Sequence, residues 1–214
     1  MRANLNSQIW FLFFDAEDQG EIDGWSWCEG STAFVSEIDN YYSADIENID
    51  AMILFDMVGG TNLQFINEQY STSSLLDEIF AIGRGLGFTT QFPSNPESNS
   101  IIDDHRAFLN IGIPSADLII NFWDNPNWPF HHTTSDDISN IANHSLEITG
   151  KTVEQFVYNN YYNTTSEIYK SNYPWLVDID VAFIETIMYF IIITASGAII
   201  ILTFNIVKQK KIKR

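Results

Sequence analysis

The sequence predicts an α/β domain of three layers built on a mainly parallel sheet, followed by one transmembrane helix. Three observations support this. Apolar runs alternate with helical patterns over residues 1–161, residues 162–180 are polar and aperiodic, and residues 181–207 are almost entirely apolar. Strands that alternate with helices form parallel sheets whose faces the helices cover. Residues 208–214 complete the chain as a basic tail.

Short apolar runs mark the strands, and apolar spacing marks the helices. Strands are predicted over residues 9–14, 51–55 and 118–120, and the first is apolar throughout, so we expect it to be buried on both faces. Helices are predicted over about residues 31–38, 71–86 and 144–161. The middle helix has the clearest spacing, with Leu75, Leu76, Ile79, Ile82 and Leu86 after a Ser/Thr cluster.

The charges divide the chain into two unlike parts. Residues 1–180 hold 27 acidic and five basic side chains, whereas five basic residues follow Val207. The 22 uncharged residues of 186–207 would reach roughly 33 Å as a helix, enough to cross a bilayer. Positive residues stay on the cytoplasmic side, which predicts a single-pass protein with a cytoplasmic C-terminus and an extracytoplasmic domain. The acidic domain excludes nucleic-acid binding, which needs a basic face.

Cysteine content and the start of the chain set further limits. Cys28 is the only cysteine, so neither an intrachain disulfide nor a thiolate zinc cluster forms, and such a residue is most often a small buried hydrophobe. No secretory signal opens the chain, because residues 9–14 are too short for one. The first strand also needs neighbours and cover. We therefore expect the domain to be incomplete at the N-terminus.

Candidate polar groups follow each predicted strand. Glu17 and Asp18 come after the first strand, Asp56 ends the second, and the third leads to His131 and His132. Ligands of parallel α/β sheets bind beyond the carboxyl ends of the strands. One carboxylate of an adjacent pair can hold a cation while its neighbour moves a proton. Asp18, Asp56 and His132 are suitable zinc ligands, although a single histidine is more often structural.

Four ordered segments resemble a known family. They are FDAEDQG at residues 14–20, LFDMVG at 54–59, DDHRAF at 103–108 with GIP at 112–114, and HTTSD at 132–136. In this order and spacing they are similar to segments of zinc-dependent aminopeptidases and glutaminyl cyclases (metallopeptidase family 28). The resemblance covers about residues 8–160 and excludes the predicted membrane segment.

The resemblance implies roles for five of these residues. Glu17 matches the general acid/base, Asp18 the adjacent zinc ligand and His132 the distal zinc ligand. Asp56 matches the second-zinc ligand of two-metal aminopeptidases, or a catalytic carboxylate of single-zinc cyclases. Asp103 matches an acid that the cyclases use in catalysis. Zinc is thus the implied cofactor, as one ion or two.

Other positions distinguish the alternatives. His131 stands where the cyclases have a tryptophan, so we assign it, with His105, to substrate binding. The family also supplies a His-x-Asp zinc-binding segment well upstream, and none precedes Glu17 here. The sequence therefore predicts a membrane-anchored zinc metallopeptidase that acts on peptide N-termini. The alternatives are a glutaminyl-peptide cyclotransferase and a non-catalytic binding ectodomain with a degenerate metal site.

Overall fold

A computed structural model describes residues 7–18, 22–43, 48–122, 128–161 and 199–204. The three predicted strands and three predicted helices are confirmed, with ends that differ by a few residues. A further short helix and a two-stranded ribbon were not predicted. In chain order the strands and helices are β1 (Trp10–Phe14), α1 (Glu29–Ser36), β2 (Ala51–Asp56), β3 (Asn67–Glu68), α2 (Ser73–Gly85), β4 (Ser98–Asn99), α3 (His105–Asn110), β5 (Ser115–Ile119), α4 (Asn143–Tyr161) and β6 (Ile199–Phe204), with 3-10 turns at Ile38–Asn40 and Ile138–Asn140.

The main sheet is mixed rather than mainly parallel. Its strand order is β1-β6-β2-β5. β2 and β5 are parallel, whereas β6 lies antiparallel to both β1 and β2. The three predicted strands, β1, β2 and β5, consequently run in the same direction, and their carboxyl ends lie at one edge of the sheet.

β6 lies where the sequence predicts part of the membrane helix. Residues 199–204 pair in the sheet as a strand, and their run of isoleucines, a threonine and a phenylalanine suits a strand. Hydrophobicity alone does not separate a buried strand from a helix. Within the described ranges, no helix is long and apolar enough to span a bilayer. The rest of the predicted span, the linker at 162–180 and the tail at 208–214 lie outside the described residues.

Helices cover both faces of β2, as the three-layer prediction requires. Successive side chains of a strand point to opposite faces. Ala51 and Ile53 pack in a cluster with side chains of α2 and α4. Met52 and Leu54 pack on the other side with Phe108 of α3, and Phe34 and Val35 of α1 lie against that cluster.

β1 differs from its prediction as a strand buried on both faces. Phe11 and Phe13 are 41% and 43% exposed, while Phe14 packs among the buried side chains near α1 and α3. β1 is at the edge of the main sheet, with a neighbouring strand on one side only among the described residues. An unbroken apolar run therefore does not by itself show two-sided burial.

The start of α2 shows how side chains join the helix to β5. The predicted helix began at residue 71, but α2 begins at Ser73 after the extended Thr72. Thr72 Oγ1 accepts a hydrogen bond from the Ser115 backbone N–H at 3.1 Å. Ser71 Oγ accepts one from the Asp117 N–H at 3.0 Å. Both hydroxyls bond to the neighbouring strand, which ties the start of α2 to the amino-terminal half of β5.

Candidate active site

The predicted site residues gather at the carboxyl edge of the sheet. β1 leads into Glu17 and Asp18, β2 ends at Asp56, and the segment after β5 returns to His132. The chain folds sharply at this edge. Among the described residues, five non-glycine positions have a positive φ, and four of them lie within or beside this group: Ala16 (52°), Cys28 (59°), Met57 (50°) and His132 (57°). Such backbone conformations are costly and concentrate at functional sites.

Asp18 and His132 are in direct contact although they are far apart in sequence. His132 Nε2 lies 3.2 Å from Asp18 Oδ2, and their side chains are 57% and 43% exposed. An imidazole and a carboxylate that meet at an accessible surface can share one metal ion. Their convergence follows from the common direction of β1 and β5, whose ends place both residues at one edge.

Asp56 and Asp103 form the inner part of the site. Their side chains are hydrogen-bonded to each other. Burial raises the pKa of Asp56 to about 6, although the Asp103 carboxyl and the Met57 backbone N–H lower it. The pKa of Asp103 lies well above its ordinary value because of burial and the charge of Asp56. The negative charge of Asp136 and the positive charge of His132 also act on Asp56.

Glu17 has the electrostatic character of a proton-transfer group. Burial raises the pKa of Glu17 to about 8, and the charges of Asp56, Asp104 and Asp18 add to the effect. A carboxyl group whose pKa lies near neutrality can accept and return a proton at physiological pH. Burial, more than the adjacency of Asp18, therefore gives Glu17 this property.

Cys28 joins the site unexpectedly. Its backbone N–H donates to the Glu17 carbonyl at 2.8 Å, and the Glu29 N–H donates to the Ala16 carbonyl at 3.0 Å. One donor atom from each of Glu17, Cys28 and Asp103 lies within 4.8 Å of the other two. Cys28 is 6% exposed, so it is buried as predicted, but it is buried against acids. No pattern in the sequence signals this, since the contact depends on the left-handed turn at Cys28.

His131 lies at the rim of the site. Its ring stacks on the His132 ring with centroids 3.8 Å apart, and the Phe122 ring centroid lies 4.2 Å away. Burial, and then the charge of His132, lower the pKa of His131 below its ordinary value. A neutral imidazole beside an aromatic ring offers a flat surface next to Asp18 and His132. Its assignment to substrate binding stays a prediction.

His105 occupies a different place from the one predicted for a substrate-binding residue. Its side chain is 0% exposed. His105 Nε2 lies 3.1 Å from Glu68 Oε2, and Nδ1 lies 4.0 Å from Asp117 Oδ2. Because two buried carboxyl groups enclose the ring, it cannot reach a substrate at the sheet edge. Its proximity in sequence to Asp103 misled the prediction, since α3 turns the ring inward.

Glu68 is a supporting residue that sequence reasoning missed. It follows no predicted strand end and belongs to no recognised motif. Yet it is 1% exposed and accepts hydrogen bonds from five donors, among them His105 at the start of α3. The pair of Glu68 and His105 holds the first turn of α3, which follows directly from Asp103 and Asp104.

Comparison with solved structures identifies the class to which this fold and site belong. Similar structures include zinc-dependent exopeptidases and glutaminyl cyclases. The particular family follows from a family model, Peptidase family M28, that matches residues 1–157. The chain therefore belongs to Peptidase family M28.

Three solved structures show the extent of the similarity. A zinc-dependent exopeptidase from Parabacteroides distasonis is 28% identical with a TM-score of 0.57, over 68% of this chain and 52% of that one. A Porphyromonas gingivalis glutaminyl cyclase is 29% identical with a TM-score of 0.58, over 68% of this chain and 51% of that one. A leucine aminopeptidase precursor from Bacteroides thetaiotaomicron is 28% identical with a TM-score of 0.57, over 68% of this chain and 51% of that one. The chain spans about half the length of these proteins.

Proposed function

We propose that this chain carries part of the active site of a zinc metallopeptidase that removes residues from peptide N-termini. The observation that supports it most is the 3.2 Å contact between Asp18 and His132 beside Glu17, whose pKa is raised to about 8. Metal-binding groups and a proton-transfer group thus stand together at an accessible edge. The similarity to a zinc-dependent exopeptidase and to a leucine aminopeptidase precursor also supports it.

The residues present fit zinc. Asp18 and His132 would hold the ion, and the adjacent Asp56 would supply a further oxygen ligand to this ion or to a second one. Carboxylate and imidazole are ordinary zinc ligands, and the half-exposed side chains of Asp18 and His132 leave one side of the pair open to a substrate. When bound, zinc polarises the carbonyl group that is attacked.

Glu17 performs the proton transfers in this proposal. With a pKa of about 8, its carboxyl group accepts a proton from the attacking water and returns it to the amine that leaves. Burial is the main cause of this raised pKa, and the negative charges of Asp56, Asp104 and Asp18 add to it. Burial and neighbouring negative charge both favour the protonated form of a carboxyl group, so Glu17 is basic enough for the transfer.

A glutaminyl-peptide cyclotransferase is the second candidate. The observation that favours it is the buried pair of Asp56 and Asp103, since Asp103 matches an acid of the similar cyclases. In that reaction the N-terminal amine of a glutamine peptide attacks the side-chain amide carbon. The new ring bond forms, the old carbon–nitrogen bond breaks, and ammonia leaves with the proton that Glu17 returns.

Mass spectrometry of a peptide with an N-terminal glutamine tests the proposal. Joined to the upstream His-x-Asp segment that the resemblance implies, the zinc-loaded chain should release the first residue, whereas a cyclase would release only ammonia. Glu17→Gln should keep the metal and reduce the rate by roughly 10²- to 10⁴-fold, because it removes proton transfer alone. His132→Ala should lose both metal and rate, and Asp39→Asn, an exposed acid, serves as the control. An unchanged peptide with zinc bound would favour the non-catalytic binding ectodomain.

We also propose that the apolar C-terminal segment attaches the domain to a membrane, with the domain extracytoplasmic and Arg214 cytoplasmic. The apolar run of residues 186–207 and the basic tail support this. Residues 199–204 form β6 in the sheet, whereas a membrane span over residues 186–207 would make them helical. An experiment can therefore distinguish the sheet strand from the membrane span. Protease added to intact cells should remove the domain and spare a C-terminal tag. Recovery of the protein in the soluble fraction would favour the strand.

A further inference from the structure

We propose that His105 is a positioning residue of the active site, which holds Asp103 beside Asp56 through its contact with the buried Glu68. The contact lies behind the site, and neither His105 nor Glu68 belongs to the group proposed above to bind zinc. The consequence for zinc rests on the proposed function, because Asp56 is a ligand only in that proposal. The placement of Asp103 depends on the fold alone.

The His105 ring is enclosed by two buried carboxyl groups. Nε2 lies 3.1 Å from Glu68 Oε2 and Nδ1 lies 4.0 Å from Asp117 Oδ2, and all three side chains are 0% exposed. The pKa of Glu68 is lowered to about 2, so Glu68 is a carboxylate that can only accept, and Nε2 donates to it. Among the buried side chains that the structure describes, His105 is the only basic one. No other buried base can therefore replace it.

Glu68 holds the chain on both sides of Asp103. Oε1 accepts the Ile101 N–H at 3.0 Å, just before Asp103, and Oε2 meets the His105 ring just after it. Oε2 also accepts the Ser71 N–H at 2.7 Å, which fixes Glu68 itself. The short segment between Ile101 and His105 is therefore anchored at each end to one buried carboxylate.

The ring also lies against the part of the sheet that leads to Asp56. Asp117 on β5 is paired with Leu54 on β2, and Asp56 follows Leu54 on the same strand. Paired residues, and residues two apart on a strand, share one face of a sheet. Asp117 and Asp56 consequently lie on the face where Leu54 packs with Phe108 of α3.

Asp103 connects this anchor to the site. Its side chain is buried and is hydrogen-bonded to that of Asp56, the last residue of β2. Oδ1 also accepts the Asp104 N–H at 2.7 Å, which orients the carboxyl group within its turn. A misplacement of about 1 Å that arises far from the chemistry can cost about 100-fold in rate. His105 thus acts on the site through Asp103.

A double-mutant cycle on the metal-free full chain tests the placement. Urea denaturation of the wild type, Asp56→Asn, Asp103→Asn and the double variant measures the coupling of the two acids, because residues in contact have non-additive effects. The cycle is repeated in His105→Phe, which removes the donor to Glu68, and in His105→Gln, whose amide N–H takes roughly the place of Nε2–H. We expect coupling in the wild type and in His105→Gln, and its loss in His105→Phe. His144→Phe, at an exposed histidine of α4, should leave the coupling unchanged.

Zinc binding by the same variants tests the consequence for the site. In competition with a chromophoric chelator, His105→Phe should bind zinc about 10- to 100-fold more weakly than the wild type, the usual cost of losing a residue that orients a ligand. His105→Gln should recover most of this affinity. Lost coupling together with unchanged zinc affinity would refute the zinc-binding role of Asp56 and support the positioning role of His105, so the two failures are distinguishable.

Coupling that persists in folded His105→Phe would overturn the proposal, and so would its absence from the wild type. A histidine that only stabilised the fold would lower the free energy of unfolding in every background without altering the coupling. If His105→Phe does not fold, His105→Asn, whose shorter amide stops short of Glu68, takes its place in the cycle.

Discussion

Replacing Glu68 by glutamine should destabilise the protein through its buried hydrogen bonds. Oε1 accepts the N–H groups of Tyr70 at 3.1 Å and Ile101 at 3.0 Å. Oε2 accepts the Ser71 N–H at 2.7 Å, the Ser71 hydroxyl at 2.9 Å and His105 Nε2 at 3.1 Å. A glutamine amide can accept on one side only. Its NH₂ group would face two backbone N–H groups at the Oε1 position, or the Ser71 N–H, the Ser71 hydroxyl and His105 Nε2 at the Oε2 position. Either orientation leaves at least one buried backbone N–H unsatisfied, which costs about 1–3 kcal/mol.

The pKa of Glu68 gives a second estimate of the same magnitude. Burial would raise this pKa, but the hydrogen bond from His105 and those from Ile101 and Tyr70 outweigh burial and lower it from 4.5 to about 2. The corresponding free energy is about 3 kcal/mol. Because the folded-state pKa is depressed, this stabilisation is present above the unfolded-state pKa and is lost as the pH falls from about 4.5 towards 2.

Urea denaturation of the full chain measures the effect. At neutral pH, Glu68→Gln should unfold with a free energy about 3 kcal/mol below that of the wild type. Asp39→Asn, which removes one exposed negative charge, should change it by less than about 0.5 kcal/mol. The difference between wild type and Glu68→Gln should shrink below about pH 4.5. A Glu68→Gln variant as stable as the control, or a difference independent of pH, would refute the reasoning.

Three further predictions concern the site edge and the core. The pKa of Glu17 is raised from 4.5 to about 8. With a chelator present, the wild type should therefore lose stability as the pH rises from about 4.5 through 8. Glu17→Gln should lose less over the same range, as urea midpoints at each pH would show. A Cβ at Gly83 would overlap the Phe92 ring, whereas one at Gly85 would meet nothing within 4 Å. Gly83→Ala should therefore destabilise by about 1–3 kcal/mol and Gly85→Ala should stabilise by up to about 1 kcal/mol, as thermal denaturation would show. Leu54 is 0% exposed, so Leu54→Ala should cost about 2–5 kcal/mol in the same measurement.

Much of the fold was predictable because its elements carry strong local patterns. The buried side of α2, with Leu75, Leu76 and Ile79, follows the helical spacing of the sequence. β2 is a run of apolar residues that ends at Asp56. Once the strands were assigned a common direction, the sequence also predicted that Glu17, Asp18 and His132 would lie at one edge. That expectation needs only strand order and direction, and both are encoded in the alternation of elements.

Other features depend on partners that are distant in sequence. The apolar run of residues 199–204 reads equally well as helix or strand, and only pairing with β1 and β2 makes it β6. Likewise the exposure of Phe11 and Phe13 reflects the position of β1 at the sheet edge. Local hydrophobicity reports that a segment prefers to be buried, but it does not report what covers it.

Some of the chemistry of the site is also readable from the sequence, and some depends on contacts that only the tertiary structure makes. The sequence by itself determined which residue types follow the strands, and hence an acid pair and a histidine at the candidate site. Only the tertiary structure decided that Cys28 meets Glu17 and Asp103, that His105 turns inward to Glu68, and that the pKa of Glu17 rises to about 8. The physical reason is that electrostatic effects depend on distance and burial in space, which spacing along the chain does not record.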